Sequence, residues 1–394
     1  MVATTLVQPP TPRPLLSVGP SELTGLLGGS GRAKLVWTTL RRGGDPFTQE
    51  TGLGKKALAA LHQSCVPKLG YARLRSSVSS CGTRKLLLEL ERGEAVETVI
   101  IPQQGFSTIC VSSQVGCRQA CSFCATGTMG LLRSLGPEEI LAQVHAAMAA
   151  VDTHNMPAVR NVVFMVCRHS YSLNPVDTHA HVHTACIPCM LTLARTHPPS
   201  QGMGEPADNL PAVRRALAAM VHPFGFGLAK QHVCVSTVGP SPGAIRALAP
   251  LPARLAWSVH AADDRLRKLL VPTSRHSMSA LRDAWAETLL ARNDRGLMAE
   301  VTLIDGVNDG DDAADGLHEL LAPLPGKTRV NLIPYNANAG LGAAGKLFRP
   351  SRPEAVRAFQ RRVIDSGLIC TVRTSRGDEE ASACGQLRLE HTAT

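Results

Sequence analysis

The chain has 394 residues, 44% of them hydrophobic, and carries a formal net charge of +10. That composition excludes an intrinsically disordered chain, and no run approaches the roughly 20 uninterrupted apolar residues that would span a bilayer. The basic balance suits a polyanionic partner such as RNA, because Lys and Arg gain affinity by releasing counterions from phosphates. Twelve cysteines with no secretory signal point to metal or redox chemistry in a reducing interior, and less to disulfides.

Residues 1–20 read as disordered or as a targeting segment. Met1 to Gly19 is Pro- and Thr-rich with one Arg and no acidic residue, and it lacks the apolar core of a signal peptide. A short organelle transit segment and a frayed terminus both fit. Residues 21–80 are expected to form a helical N-terminal domain. Ser21 is a candidate cap, and "GRAKLVWTTLRR" and "KKALAALHQSC" place apolar residues at helical spacing. Residues 84–101 ("RKLLLELERGEAVETVII") alternate and predict a hairpin turning at Gly93. From Ser107 onward, short apolar runs alternate with helical patterns. The strands are "STICVSS", "NVVFMV", "HVCVSTV", "LAWSVHA", "AEVTLID", "RVNLIPY" and "LICTVRT". A helix should start at Pro137, with Glu138 and Glu139 in the first turn where the dipole favours them. This alternation predicts a parallel α/β sheet, open or closed into a partial barrel, with its site at the C-terminal strand ends.

The strongest chemical signal is "CVSSQVGCRQACSFCATG". Cys117, Cys121 and Cys124 form C-x₃-C-x₂-C directly after a strand. Three thiolates hold three irons of a cubane cluster and leave the fourth iron open, whereas a structural zinc site wants four protein ligands. Phe123 should shield such a cluster, and Gly116 and Gly127 should let the loop fold tightly. "GLGAAG" at 340–345 spells G-x-G-x-x-G but has no dinucleotide unit around it, so it reads as a loop.

This spacing after the first strand of a repeated βα unit resembles the radical S-adenosylmethionine (SAM) superfamily. A narrower resemblance, from about Gly31 to His391, is to the dual-specificity adenine C2 methyltransferases of large-subunit ribosomal RNA and tRNA. It is carried by "GTRKLLLELERGEAVETVIIP", "CVSSQVGCRQACSFCATGTMG", "NVVFM", "GMGEPADN", "VSTVG", "SVHAADDRLRKLLVP", "LIDGVND", "VNLIPYN" and "VRTSRGDEEASACGQL". The resemblance implies a partial (β/α)₆ radical SAM barrel with C-terminal extension over residues 81–394, a hairpin layer, and an N-terminal domain of the RNA-binding type. It implies a [4Fe-4S] cluster on Cys117, Cys121 and Cys124, and two SAM molecules per turnover. Gly204, Glu205, Ser236, Ser258, Val259, His260 and Asn336 would form the SAM site. Cys384 would carry the methyl group, Cys110 would release the RNA by forming a disulfide with Cys384, and Glu97 would accept the proton. The implied partners are ribosomal RNA, tRNA as a second substrate, and an electron donor such as flavodoxin or ferredoxin. A monomer with no membrane contact is expected, in the cytoplasm or, for a eukaryotic gene, in a plastid or mitochondrion. Arg41, Arg42, Arg373 and Arg376 are candidate phosphate contacts.

One segment departs from the family pattern. Residues 166–201, 36 in number, split "NVVFM" from "GMGEP". They read as a retained intron (Val codons begin GT, Gln codons can end AG, and the frame is kept), as a surface loop, or as a metal site made from His179, His181, His183, Cys186 and Cys189. The rival functions are a C8-adenosine methyltransferase of the same family, a member disabled by the insertion that only binds RNA, and a zinc-binding structural protein.

Overall fold

The structure, a computed structural model, describes residues 12–164, 203–293, 296–336 and 348–373. The insertion at 166–201, the "GLGAAG" segment, Arg376 and Cys384 lie outside the described residues. Two short strands, β1 (Arg13–Pro14) and β2 (Cys65–Val66), pair around helices α1 (Pro20–Leu26), α2 (Ser30–Arg41) and α3 (Lys55–Ser64). Pro20 occupies the first position of α1 and its cap is Gly19, so Ser21 lies inside the first turn and is not the cap.

The rest of the chain builds one ten-stranded sheet. Strands β3 (Tyr71–Val78), β4 (Arg84–Leu90) and β5 (Ala95–Pro102) run antiparallel up to β6 (Ser107–Val111). The expected hairpin is β4 and β5, with Gly93 at φ +88° in the turn. It continues the main sheet through β5–β6 pairing. Tyr71–Val78, which the sequence pattern places in the helical segment, is a strand. After β6 come a small hairpin, β7 (Gln114–Gly116) and β8 (Leu131–Ser134), the short α4 (Ala125–Thr128), and α5 (Pro137–Thr153). The helix α5 starts where expected, and Glu139 reaches back to the Gly136 N–H at 2.8 Å. Then follow β9 (Val159–Phe164), α6 (Leu210–Val221), β10 (Val233–Thr237), α7 (Pro242–Arg246), β11 (Arg254–Ser258), α8 (Asp264–Leu270), α9 (Met278–Arg292), β12 (Met298–Leu303), α10 (Asp311–Leu321), β13 (Arg329–Pro334), α11 (Pro353–Asp365) and β14 (Ile369–Val372). From β6 to β14 every neighbouring pair is parallel and follows chain order, with a helix between successive strands.

Alternation along each strand separates two faces. One face sends Ile109, Val162, Val235, Trp257, Val301 and Leu332 into a core shared with the helices. The other carries Glu97, Cys110, Cys234, Ser236, Ser258 and Glu300, all buried although outside that core. Their burial fits a sheet curled toward a barrel, with β3 and β14 as its edges among the described residues. The N-terminal helices join the helix-side core through Leu23, Val36, Trp37 and Leu40.

Arg41, at the end of α2, donates to the carbonyls of Pro223 and Gly225, so it fastens the N-terminal helices to the loop after α6. Its Nε and Nη2 are thereby engaged by backbone carbonyls. Beside it, Gly43 sits at φ +69°, and a Cβ there would lie 2.2 Å from the Cα of Ala149 on α5. Gly43→Ala should therefore destabilise the fold by about 2–4 kcal/mol, combining positive-φ strain with overpacking. Urea unfolding measures this, and an unchanged midpoint would show that the two helices can separate without cost.

Candidate active site

The cysteine loop leaves β7 at Gly116 (φ +80°). It closes through Cys117 N–H to Gly130 O at 2.9 Å and Cys124 N–H to Cys121 O at 3.0 Å. A Cβ on Gly127 would stand 2.8 Å from the Cys121 nitrogen, so the tight turn needs glycine there. Ser122 N–H donates to Leu270 O at 3.0 Å, which ties the loop to the end of α8. Phe123 is buried and packs edge-on against the His260 ring, with centroids 4.7 Å apart.

All three cysteines are free thiols. Burial pushes each thiol up; the Cys121 charge adds to this at Cys117, while the Arg267 guanidinium draws Cys121 back down. A metal must therefore displace protons here, as metals do at thiol sites. Among the described residues, no three His, Cys, Asp or Glu side chains converge on a point that could hold a single ion. A cubane cluster asks for something else, since each cysteine binds a different iron. The three thiols on one glycine-turned loop fit it, and the loop offers no fourth thiol to close a structural zinc site.

Residues 203–205 are stitched to the segment that leads into this loop. Met203 N–H donates to Ser112 Oγ at 2.7 Å, and Glu205 N–H to Gln114 Oε1 at 2.8 Å. Gly204 lies at φ +72°, where a Cβ would meet Gln114 Cβ at 2.4 Å. The Glu205 carboxylate is buried and accepts Ala207 N–H and Val238 N–H, each at 3.0 Å. Burial pushes its pKa from the ordinary 4.5 up to about 7, against hydrogen bonds from Thr237 and the Val238 and Ala207 amides that pull it down. A cationic group from a ligand would relieve this cost.

The neighbouring strand ends supply the remaining polar groups. Ser236 Oγ donates to Glu300 Oε2 at 2.8 Å and lies 3.2 Å from Ser258 Oγ. His260 adopts φ +56°, uncommon for a residue with a side chain. Thr302 N–H donates to its Nδ1 at 3.2 Å. Burial, and then the Arg267 charge, hold His260 well below its ordinary pKa, so it is neutral with its proton on Nε2. Asn308 Nδ2 donates to His260 O and Thr302 O, both at 2.7 Å, and fixes that turn. Arg267 Nη1 donates to Ser258 O at 2.7 Å, and Nη2 to Val238 O at 2.6 Å.

The structure thus gathers Cys117, Cys121, Cys124, Gly204, Glu205, Ser236, Ser258 and His260 at one end of the parallel strands. Val259 contributes only its backbone, since its side chain lies in the helix-side core. Asn336 follows the end of β13. Glu97 and Cys110 share the inner face on β5 and β6, where Lys85 Nζ lies 3.4 Å from Glu97. Arg373 is buried and so is no exposed phosphate contact. Sequence reasoning passed over Arg267, Asn308 and Glu300. Of these, Glu300 had a signal, a lone carboxylate within the apolar run "MAEVTL".

Comparison with known proteins converges on the same chemistry. The chain is 34% identical over 387 residues to a dual-specificity RNA methyltransferase RlmN from Marinomonas sp. (strain MWYL1), covering 95% of this chain and 92% of the relative. The chain belongs to the RlmN family of dual-specificity RNA methyltransferases. The RlmN of Geobacter sulfurreducens is also 34% identical, over 374 residues, covering 93% of this chain and 89% of that one. Among solved structures, a radical SAM methyltransferase from Sphaerobacter thermophilus superposes with a TM-score of 0.78 at 31% identity, covering 95% of this chain and 99% of the other. No protein-family profile matches. As a member of the RlmN family the chain is a radical SAM enzyme that methylates RNA. The family implies SAM and a [4Fe-4S] cluster, and the three-thiol loop fits that cluster. Among the described residues no helix is long and apolar enough to cross a membrane.

The raised pKa of Glu205 has a signed consequence for the metal-free protein. The fold favours the protonated carboxyl. The stability this gives is fully present below about pH 4.5 and is lost as pH rises through about 7. Across that window the loss should reach about 3 kcal/mol at most. Glu205→Gln should flatten this part of the profile. Urea unfolding from pH 4.5 to 8 tests it, and parallel profiles for the two proteins would show that Glu205 is not strained.

Proposed function

We propose that this RlmN-family chain methylates C2 of an adenosine in large-subunit ribosomal RNA, and also in tRNA, through a methylated cysteine. The observation that carries the reading is that the segment leading into the three-thiol loop holds, through Ser112, Ser113 and Gln114, the backbone of Met203 and Glu205, whose carboxylate is buried. When bound, the cluster and SAM supply the one-electron chemistry and the methyl group. Cys117, Cys121 and Cys124 would hold the cluster, and Phe123 would keep water from it. Glu205 would receive the SAM ammonium, with Gly204 allowing close approach of the backbone. Ser236, Ser258, His260 and Asn336 would complete that pocket. A neutral His260 suits this role, because an imidazolium would repel the sulfonium.

Cys384 would carry the methyl group, since C2 of adenine is electron-poor and a direct nucleophilic methyl transfer does not reach it. Cys110 would release the RNA from Cys384 by disulfide formation, and Glu97 would take up the proton. Two SAM molecules would be consumed per turnover. A flavodoxin- or ferredoxin-like electron donor, a reducing compartment and a monomeric enzyme complete the proposal.

Product analysis is the test. The chain, reconstituted anaerobically with iron and sulfide, is given SAM, a reductant and either ribosomal RNA or tRNA, and the digested nucleosides are separated by mass spectrometry. 2-Methyladenosine is expected, and Cys117→Ala and Cys384→Ala should each abolish it. 8-Methyladenosine would assign the C8 reaction instead. No methylated adenosine and no SAM cleavage despite a formed cluster and bound RNA would assign instead a member disabled by the insertion that only binds RNA.

A further inference from the structure

The edge strand β3 is exposed along most of its length, on both faces. Strands β4 to β13 of the sheet are largely buried, whereas β14, the short strand at the other edge, is half exposed, and a long open edge is ordinarily covered or blunted. Its sequence, "YARLRSSV", is basic and hydroxylated. Between Val66 and Arg92 the chain carries Lys68, Arg73, Arg75, Arg84, Lys85 and Arg92, against only Glu89 and Glu91.

Register places one of these residues with unusual definition. Arg75 is directly opposite Leu87 on β4, and Leu87 is directly opposite Glu97 on β5. Residues directly opposite in antiparallel strands share a face. Arg75 therefore stands on the inner face, in the same cross-strand row as Glu97, two strand spacings or about 10 Å away. The Glu97 backbone carbonyl accepts from Ser112 Oγ at 2.9 Å, so this row meets the segment that leads into the cysteine loop. One row away, Ser77 is opposite Lys85, Lys85 is opposite Val99, and Val99 is opposite Cys110. Lys85 is committed to Glu97. Arg75 is exposed, with Glu89 as the other acidic group on this face of β4. A β-bulge between Arg73 and Arg75 turns Arg73 to the opposite face, beside Arg84. There the Arg84 guanidinium is lowered by burial and then by the Arg73 charge, and His154 is lowered by burial and then by both arginines. The inner face itself carries Arg75 and Lys85 against Glu89 and Glu97, with Lys85 drawn to Glu97, and the excess positive charge of this region lies with Arg73 and Arg84 on the opposite face of the same edge.

We propose that the inner face of β3 is the dock for the RNA backbone, with Arg75 holding a phosphate next to the adenosine presented at Glu97. This rests on the reading that the chain acts on RNA with Glu97 at the reaction centre. It adds a surface to that reading. A strand carrying the substrate crosses this sheet edge, where among the described residues no further strand pairs, and its base reaches inward along the row toward Glu97. An arginine is suited to a phosphodiester here because its planar fork bonds two phosphate oxygens at once.

The test uses the cluster-loaded enzyme and a ribosomal RNA fragment, with affinity measured across a salt series. Arg75→Ala should weaken binding about tenfold and lower the slope of log K against log salt by about 1, the loss of one phosphate contact. Arg75→Lys should keep the slope. The effect should fall on KM for RNA and not on kcat, with iron per chain unchanged. Arg357→Ala, on the outer face of α11, should bind like the unaltered enzyme. Affinity and slope unchanged in Arg75→Ala would overturn the dock while leaving the proposed reaction intact. Loss of iron in Arg75→Ala would assign Arg75 a structural role and equally overturn it. An unaltered enzyme with no salt-dependent RNA binding would overturn the dock and the RNA reading together.

Discussion

A guanidinium buried at the end of the parallel strands sets the terms for the rest of this molecule. Arg267 is only 1% exposed, and its side chain gathers the carbonyls of Ser258 and Val238. Strand-end carbonyls have no ladder partner beyond the sheet and must be satisfied locally. Arg267 does this from α8, whose last residue, Leu270, accepts from Ser122 in the cysteine loop. The helix α8 therefore links the connections after β10 and β11, through Arg267, to the loop that carries the thiols, through Leu270. The Arg267 charge also lies close enough to Cys121 to oppose the effect of burial on that thiol. Burying a lone cation costs several kcal/mol, so such a residue persists where its hydrogen bonds and nearby anions offset that cost.

The same logic extends to the carboxylates. Glu205 and Glu300 are both buried, and each is held by donors from a neighbouring strand or loop. The Val238 residue connects the two signs of charge, its N–H donating to Glu205 and its carbonyl accepting from Arg267. The inner face is thus polar and rigid at one end, while the outer face is apolar and closed by helices. This division allows a reactive site in the sheet without weakening the core, because period-two alternation assigns alternate residues of each strand to the two tasks.

Much of this was legible in sequence, for identifiable reasons. The seven parallel strands and the β4–β5 hairpin show as short apolar or alternating runs. The helix α5 shows by Pro137 and its two glutamates. The cysteine loop shows because three thiols at this spacing suit a cubane cluster and little else. Strand β3 did not show, because "YARLRSSV" buries little and so lacks an apolar alternation. Arg41 looked like a surface cation, yet its fork closes on two carbonyls 182 and 184 residues away in sequence. Arg267 did not show, since nothing local marks a side chain whose partners are backbone atoms at the ends of two strands. The role of Cys384 rests on motif alone, as it lies outside the described residues.

The central claim is that Glu205 and the cysteine loop form one site. Its most direct test is spectroscopic. The reduced cluster is prepared in the unaltered protein and in Glu205→Ala, and the electron paramagnetic resonance spectrum is recorded while SAM is added. SAM is predicted to alter the spectrum of the unaltered protein at concentrations that leave the variant's spectrum unchanged. The same change in both proteins at the same SAM concentration, or none in the unaltered protein, would contradict it.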